Sequence, residues 1–220
     1  MPRTITVKGI GKVSLRPDYV VLSMALESRS MNYEEAMETA AESIELLNKA
    51  LSGADFEKDA VKTTNFNVRT EYDDELHKDG SFKRVFKGYI VTHNLKAEFD
   101  FDSVRLSKTL SAVGSCPAHP QLNVAFTVKE TAAVYEEVLR SAAENAGRKA
   151  EILCKASGVA LKDLLSIDYN WGELNFYSGT RYNVAEDCLA APMKARSIEI
   201  EPDDINISET AAFVWEISEL

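Results

Sequence analysis

Residues 5–15 read ITVKGIGKVSL, in which apolar or glycine positions alternate with mostly polar ones. The first set shares one face and consists of Ile5, Val7, Gly9, Gly11, Val13 and Leu15. A period of two predicts a β-strand with one buried face. Glycines on such a face indicate either a β-bulge or a close approach by another element. The stretch therefore predicts a first strand with a bulge or a closely packed neighbour at its glycines.

Several more strand patterns follow along the chain. The chain turns at Pro17-Asp18 and residues 20–26 alternate again, so we expect a second strand antiparallel to the first. The most regular alternation covers residues 89–99, after a hairpin signal at Lys78-Asp79-Gly80-Ser81. Further strand patterns occur at 61–72, 122–128, 165–171 and 211–217.

Three helical patterns separate these strands. Asn32 followed by Glu35 is typical of a capping box, and the apolar positions that follow step by three or four as far as Gly53. A short helix is predicted over 103–113, with Asp102 as its N-cap and Gly114 at its end. The longest helix is predicted over 132–157 and ends at Gly158. After each of these glycines we expect a strand about eight residues later.

Hairpins mixed with helices predict an α+β fold. We expect an antiparallel or mixed β-sheet with helices packed on one face, two of them long and one short. The 220 residues can form one large domain or two small ones, and we interpret them as one domain spanning 1–220. The periodicity lapses at about 172–195, which predicts an irregular loop. Phe176, Tyr177 and Tyr182 lie in this stretch and are a candidate interface, because aromatic residues are enriched in interface cores.

Composition narrows the classes of partner. A net charge of −10 repels phosphate backbones, so nucleic acid is a poor partner. No apolar run reaches the roughly 18 residues of a membrane span. The first residues enter a strand pattern directly, which predicts a cytoplasmic protein for the sequence as written, or an extracytoplasmic one if a signal segment had been removed. The odd number of cysteines (Cys116, Cys154 and Cys188) at unrelated spacings favours reduced thiols.

Candidate chemistry is sparse. Gly9-Ile10-Gly11-Lys12 lacks the spacing of a phosphate-binding loop. Cys116 and His119 could form a nucleophilic pair or part of a metal site, but no second ligand pair follows and nothing nearby lowers a thiol pKa. His93 lies on an apolar strand face, where a hydrogen-bonded core histidine is the simpler interpretation. His77, in the predicted hairpin, is interpreted as solvated.

Carboxylates also cluster twice in the sequence, and both clusters have structural explanations. Glu98, Asp100 and Asp102 end a strand and precede a helix, and an acidic run comprises Glu199, Glu201, Asp203 and Asp204. A solvated turn explains the second cluster as well as a cation site does. The sequence thus predicts no catalytic residue, no cofactor and no metal, and favours a protein that is not an enzyme.

Several segments together resemble the SIMPL (DUF541) family. Residues 7–13 match its opening V-x-G-x-G-x-V, here with Gly9 and Gly11, and Pro17-Asp18 matches the following P-D. Tyr72 and Gly88-Tyr89 match its tyrosine, hairpin and G-Y. The other matching segments are Glu35-Ala36, Lys62-Thr63-Thr64, the helix with Ala142, Ala146 and Ala150 that ends at Gly158, and Ile200-Glu201-Pro202. The chain departs from the family at Asp203, which is often glycine there, and in having no signal segment.

The resemblance implies an α+β protomer that forms ring-like or channel-like homo-oligomers, without established catalytic residues. Members include bacterial periplasmic proteins linked to oxidative stress and a mammalian protein that associates with a Pelle-like kinase. The implied function is that of a non-catalytic, self-assembling protein in a stress response or in signalling with a protein partner. One alternative is a small-molecule or metal binder with a pocket near the Gly9/Gly11 strand. Another is a thiol enzyme or hydrolase built on Cys116 and His119.

Overall fold

The computed structural model describes residues 3–76, 82–170, 172–184 and 200–219. These residues form three α-helices and two β-sheets, which confirms the predicted α+β class. The elements are β1 (Arg3–Leu15), β2 (Tyr19–Ser30), α1 (Tyr33–Ser52), β3 (Val61–Leu76), β4 (Phe82–Asp100), α2 (Ser103–Gly114), β5 (Gln121–Thr127), α3 (Thr131–Ser157), β6 (Val159–Asp168), β7 (Arg181–Val184) and β8 (Ile205–Glu219). A short 3₁₀ helix, Lys58–Ala60, precedes β3.

The strands belong to two sheets, ordered β1-β8-β6 and β3-β4-β2-β5-β7. The chain divides into two compact units. The first unit comprises Met1–Asp18, Thr127–Gly179 and Pro202–Leu220, and the second comprises Tyr19–Phe126 and Thr180–Glu201. Both ends of the chain and its middle meet in the first unit. The assignment of residues 1–220 to a single domain stays a prediction.

The predicted pairing of the first two strands is wrong. β1 pairs antiparallel with β8, and β2 pairs antiparallel with β4. The turn between them is held by other partners, since the Asp18 amide donates to the Thr127 carbonyl at 3.1 Å and an Asp18 carboxylate oxygen accepts from the Lys129 amide at 2.9 Å. Pro17-Asp18 therefore ends β1 and redirects the chain without closing a hairpin.

In the first unit, α3 packs on one face of the three-stranded sheet. Its buried positions recur every four residues and include Ala142, Ala146 and Ala150, which present a smooth stripe to the strands. Two apolar clusters result, one built on Val7, Ala146, Ala150, Ala211, Phe213 and Trp215, the other on Val128, Val138, Ile205 and Ile207. The helix ends at Gly158, whose φ of 67° is the left-handed conformation expected of a C-cap.

In the second unit, α1 packs on β2 and β4, and the largest apolar cluster includes Leu22, Met24, Leu47, Leu51 and Phe126. Asn32 caps α1 by accepting from the Glu34 amide at 2.8 Å. Glu35 does not complete the expected capping box, because its carboxylate accepts from the Ser30 hydroxyl at 2.6 Å instead. Asp102 caps α2 as predicted, accepting from the Arg105 amide.

Two strand boundaries differ from the sequence prediction. β6 begins at Val159, directly after Gly158, whereas we expected a strand about eight residues later. The stretch 172–195, predicted as an irregular loop, contains the short strand β7, which pairs antiparallel with β5. The hairpin turn predicted at Lys78–Ser81 lies outside the described residues, although β3 and β4 pair antiparallel on either side of it.

Candidate functional site

The glycine face of β1 is occupied by α3. A Cβ at Gly9 would lie 2.1 Å from the Ala142 carbonyl oxygen, and one at Gly11 would lie 2.1 Å from the Val138 carbonyl oxygen. These separations are far below van der Waals contact, so only glycine allows the helix backbone to approach the strand this closely. A ligand pocket beside this face of β1 was one expectation, but the helix α3 fills that space.

The same helix also caps the free edge of β1. The Ile10 amide donates to the Asn145 side-chain oxygen at 3.0 Å, and the Lys12 amide donates to the Ser141 hydroxyl at 3.1 Å. Lys149 donates its ammonium to the Lys8 carbonyl at 2.9 Å. Backbone groups at a sheet edge would otherwise be free to pair with another strand. The middle of the β1 edge, residues 8–12, is therefore capped by side chains of its own unit.

The opposite edge of the sheet is formed by β6, and it has a different character. Within the described residues, β6 pairs with β8 and no strand lies on its other side. Large apolar side chains along and just after it are about half exposed: Leu164 at 46%, Leu165 at 48%, Ile167 at 52% and Tyr169 at 52%. Clustered apolar exposure of this kind marks an interaction site more often than isolated exposed residues do.

The register with β8 shows which face these side chains share. Leu164 lies opposite Trp215 and Ile167 lies opposite Phe213, and both of those aromatic residues are buried in the cluster beneath α3. Leu164 and Ile167 therefore continue the apolar face of the sheet beyond the area that the helix covers. We call the strand β6 with these side chains the open edge, and the β1 edge the capped edge.

A groove follows the seam between β1 and α3. Its volume is about 420 Å³, and its lining includes the cationic side chains of Lys12, Arg148 and Lys149. One carboxylate, Glu144, and the polar side chains of Ser141 and Asn145 complete much of the wall. Positive charge is thus concentrated at one place on a chain whose net charge is −10.

The second unit has an aromatic row of its own on the β3–β4 hairpin. Ring centroids lie 5.5 Å apart for Tyr33 and Tyr89, 5.3 Å for Tyr89 and Phe86, and 5.5 Å for Phe86 and Tyr72. The Arg84 guanidinium lies 4.6 Å from the Tyr72 ring centre. Edge-to-face contacts of this kind stabilise the part of the hairpin that continues beyond the end of β2.

The family-motif residues in this region have structural roles. Gly88 has a φ of 134°, and a Cβ there would lie 2.5 Å from the Ser30 carbonyl oxygen. Glycine is thus needed where β2 ends against β4. Tyr89, the next residue, joins Tyr33 and Phe86 in the aromatic row.

The aromatic residues predicted to form an interface are divided between the two units. Phe176 is half-buried in the first unit, where it packs on the cluster around Val138, and its carbonyl accepts from the Thr127 hydroxyl at 2.8 Å. Tyr182 belongs to the second unit, where it packs against the main core. Tyr177 is exposed. Phe176 and Tyr177 thus belong to the first unit and Tyr182 to the second, and an interface at these residues stays a prediction.

The cysteine–histidine pair has an environment that opposes nucleophilic chemistry. Cys116 is buried, and its burial raises the pKa of the thiol, which favours the protonated form. The His119 amide donates to the Cys116 carbonyl at 3.0 Å, which makes the segment a tight turn. Cys154 is buried in α3, and Cys188 lies outside the described residues.

His93 has a hydrogen-bond partner, as expected, but it is half-buried and does not lie in the core. Its Nε2 atom is 2.8 Å from the Thr63 hydroxyl, and its ring meets the Phe66 ring edge to face at 5.1 Å. Desolvation by partial burial lowers the pKa of His93. The other histidine of this hairpin, His77, lies outside the described residues.

The two carboxylate clusters do not assemble a metal site in the part of the chain that the structure describes. Glu98 pairs with Lys96 at 3.0 Å, and Asp102 caps α2. No group of three or more histidine, cysteine, aspartate or glutamate side chains converges among these residues. Glu199, the first residue of the acidic run, is outside them. None of the described helices combines the length and apolar character needed to cross a bilayer.

The open edge is the feature that sequence reasoning missed. Its signal in the sequence is the strand pattern predicted at 165–171, which includes Leu165, Ile167 and Tyr169; Leu164 lies just before that pattern. Alternation shows that a strand has an apolar face but does not show whether the strand lies at the centre or at the edge of its sheet. Only the strand order supplies that information.

Comparison with known proteins places the chain in a family. Residues 5–215 match the family model SIMPL, described as a protein of unknown function (DUF541). The match spans both units and includes the first and last strands almost completely. None of the curated proteins matches the chain.

Proposed function

The chain belongs to the SIMPL family, and on that premise we propose that it is a non-catalytic, self-assembling protein that acts in a stress response or in signalling. The observation that carries the self-assembly is the open edge. Within the described residues no strand pairs with its outer side. A strand of another protein molecule would pair with that side and cover the half-exposed apolar side chains. The stress-response or signalling part is supported by the family resemblance of the sequence.

The contrast between the two edges of the sheet supports self-assembly over binding of a dissimilar partner. At the capped edge, backbone amides of β1 donate to side chains of α3. At the open edge, no strand among the described residues pairs with the outer side of β6, which leaves that strand available for pairing. Closed symmetric assemblies are the commonest form of soluble oligomer. An edge that remains open in every copy is suited to such an assembly.

Light scattering coupled to size exclusion tests the proposal. At micromolar concentration we expect a mass of at least twice the 24.4 kDa of one chain, falling on dilution. A mass that stays at 24.4 kDa from micromolar to millimolar concentration contradicts self-assembly. Survival of cells with and without the gene under peroxide tests the stress-response part separately.

The groove between β1 and α3 supports a second candidate function, the binding of a small anionic molecule. Lys12, Arg148 and Lys149 all line it, and three positive charges around one cavity attract a multivalent anion. Titration calorimetry with inorganic phosphate and with citrate tests this function. We expect binding that weakens with salt and is lost in Lys12→Gln/Arg148→Gln. Lys155→Gln, on an exposed part of the same helix, is the matched control and should bind like the wild type.

A further inference from the structure

We propose that the open edge pairs with the same strand of a second copy, antiparallel, around a two-fold axis that passes beside Ile167. This inference rests on the proposed self-assembly and specifies one interface within it. The other edge of the sheet is capped, the ladder between β6 and β8 restricts where a second strand can pair, and the exposed apolar side chains Leu164 and Ile167 lie on one face.

Closure of the sheet argues for a second copy as the occupant. Pairing β6 with β6 joins the two three-stranded sheets into one continuous sheet whose outer strands are β1 and its symmetry mate. Both of those outer edges are already capped by α3 through Ser141, Asn145 and Lys149. Among the described residues, the outer strands of the assembled sheet are thus the ones whose middle parts are already capped. An unrelated strand on β6 would bring its own exposed edge, unless that strand was capped as well.

The ladder between β6 and β8 limits the register. Irregularities interrupt it between Leu161 and Leu164 and again between Leu164 and Ser166, and a regular stretch follows from Ser166 to Asp168. Bulges disturb the pairing of an edge, so the regular stretch is where a second strand can dock. Its middle residue is Ile167.

The charge of Asp168 favours a two-fold axis at Ile167 over one at another residue of this stretch. An axis at Ile167 places Ser166 of each copy opposite Asp168 of the other, so that each carboxylate meets a hydroxyl donor. An axis at Asp168 would place two carboxylates opposite each other, which is destabilising. An axis at Ser166 would place Ile167 opposite Leu165, which lies in the irregular part.

The two-fold axis also brings the apolar side chains together. An axis perpendicular to the sheet keeps each face of the sheet on the same side in both copies. Leu164 and Ile167 therefore lie on the α3 side in both protomers, in the space between the two helices. Side chains that are about half exposed in one copy then cover those of the other, and hydrophobic burial favours the association.

Cysteine cross-linking tests the axis directly. Residues opposite each other in an antiparallel pair have Cα atoms about 4.5–5.5 Å apart, which a disulfide can bridge. In a Cys188→Ser background, Ile167→Cys should form a disulfide-linked dimer rapidly under a mild oxidant. Ser166→Cys is the matched control, because its two Cα atoms would be about 8 Å apart, beyond disulfide reach.

A charge at the axis tests the interface without an oxidant. Ile167→Asp should retain the circular dichroism spectrum and thermal transition of a folded chain, since the side chain is half exposed, while the assembled mass falls at least twofold. If the wild type assembles but Ile167→Cys links no faster than Ser166→Cys, the two-fold pairing is wrong and self-assembly stands. If the wild type is monomeric throughout, the proposed function fails as well. Should Ile167→Asp not fold, the cross-linking comparison alone decides.

Discussion

The capped edge and the open edge bound the same three-stranded sheet and offer the same kind of backbone groups. At β1 those groups bond to Asn145, Ser141 and Lys149 of α3, whereas β6 has no strand on its outer side within the described residues and displays half-exposed Leu164 and Ile167. The position of one helix accounts for the difference. α3 lies close to β1 because Gly9 and Gly11 let its backbone approach, and β6 is left beyond its cover.

This difference shows how a pair of small residues can decide which surface of a protein is available for association. A helix shifted toward one edge supplies that edge with polar caps and withdraws apolar cover from the other. The same two glycines thus act on both edges at once.

The largest effect is expected from filling the glycine contact at the capped edge. In Gly9→Ala the new Cβ would lie 2.1 Å from the Ala142 carbonyl oxygen and 2.8 Å from the Ala146 Cβ, so helix and strand must separate. Overpacking of this kind costs about 3 kcal/mol of unfolding free energy. Urea denaturation monitored by circular dichroism measures the loss.

The matched control is the same substitution on the helix. A Cβ at Gly147 would have no atom within 4 Å, so nothing opposes it. Gly147→Ala should stabilise the protein by about 0.5–1 kcal/mol, because alanine favours the helix interior. If Gly9→Ala lowers the unfolding free energy while Gly147→Ala raises it, the loss is specific to the β1–α3 contact. Equal effects at both sites would refute that account.

The glycine contact also illustrates what the sequence could and could not predict. Two glycines on the apolar face of residues 5–15 suffice to predict a bulge or a close neighbour there, since a missing side chain leaves room on a face that must be covered. They do not identify the neighbour, because α3 is more than a hundred residues away and its alanine stripe would fit any smooth partner. The α+β class follows from local periodicity, whereas the division into two sheets depends on distant pairings.

The pairing of β1 with β8 shows the same limit. Residues 20–26 are the nearest strand pattern to β1, and proximity along the chain favours a hairpin. The competing partner is the last strand of the chain, which carries an equally regular alternation at Ala211, Phe213 and Trp215. Local sequence holds no information on which of two suitable partners wins. The same limit applies to the functional residues: the N-caps Asn32 and Asp102 were predictable from local sequence, and the open edge was not.

Removing the caps should open the β1 edge. In Ser141→Ala/Asn145→Ala, the amides of Ile10 and Lys12 lose their partners. At about 1 kcal/mol for each hydrogen bond, the double variant should lose roughly 2 kcal/mol of unfolding free energy. It should also form species heavier than the wild-type assembly, because each copy then has two open edges. Urea denaturation and light scattering measure the two effects.

Asn145→Asp serves as the control for this variant. The aspartate retains a side-chain oxygen that can accept from the Ile10 amide, so most of the stability and the wild-type mass should be retained. If the double alanine variant keeps the wild-type mass while losing stability, the caps contribute to folding but do not limit association.

Amide hydrogen exchange compares the two edges in the unmodified protein. At a total chain concentration ten times the dissociation constant of a dimer, about one copy in five is free, so amides protected by association should exchange about fivefold more slowly than in dilute solution. We expect this slowing in residues 159–168 and no concentration dependence in residues 3–15. Concentration dependence at β1, or its absence at β6, would reverse the assignment of the two edges.

The smallest effect is a pH dependence in the second unit, which neither edge should share. Desolvation holds the pKa of His93 below its value in the unfolded chain, so the unfolded chain binds more protons as the pH falls through the usual histidine range. The stability contributed by the neutral ring is therefore present above the unfolded pKa and is lost as the pH decreases toward the folded pKa. His93→Gln should make the unfolding free energy less dependent on pH between pH 7 and about 5.5.

The open edge contains no histidine, so the assembled mass should stay constant over that range in both proteins. A change in mass that follows the histidine titration and disappears in His93→Gln would show that association does not depend on the β6 edge alone.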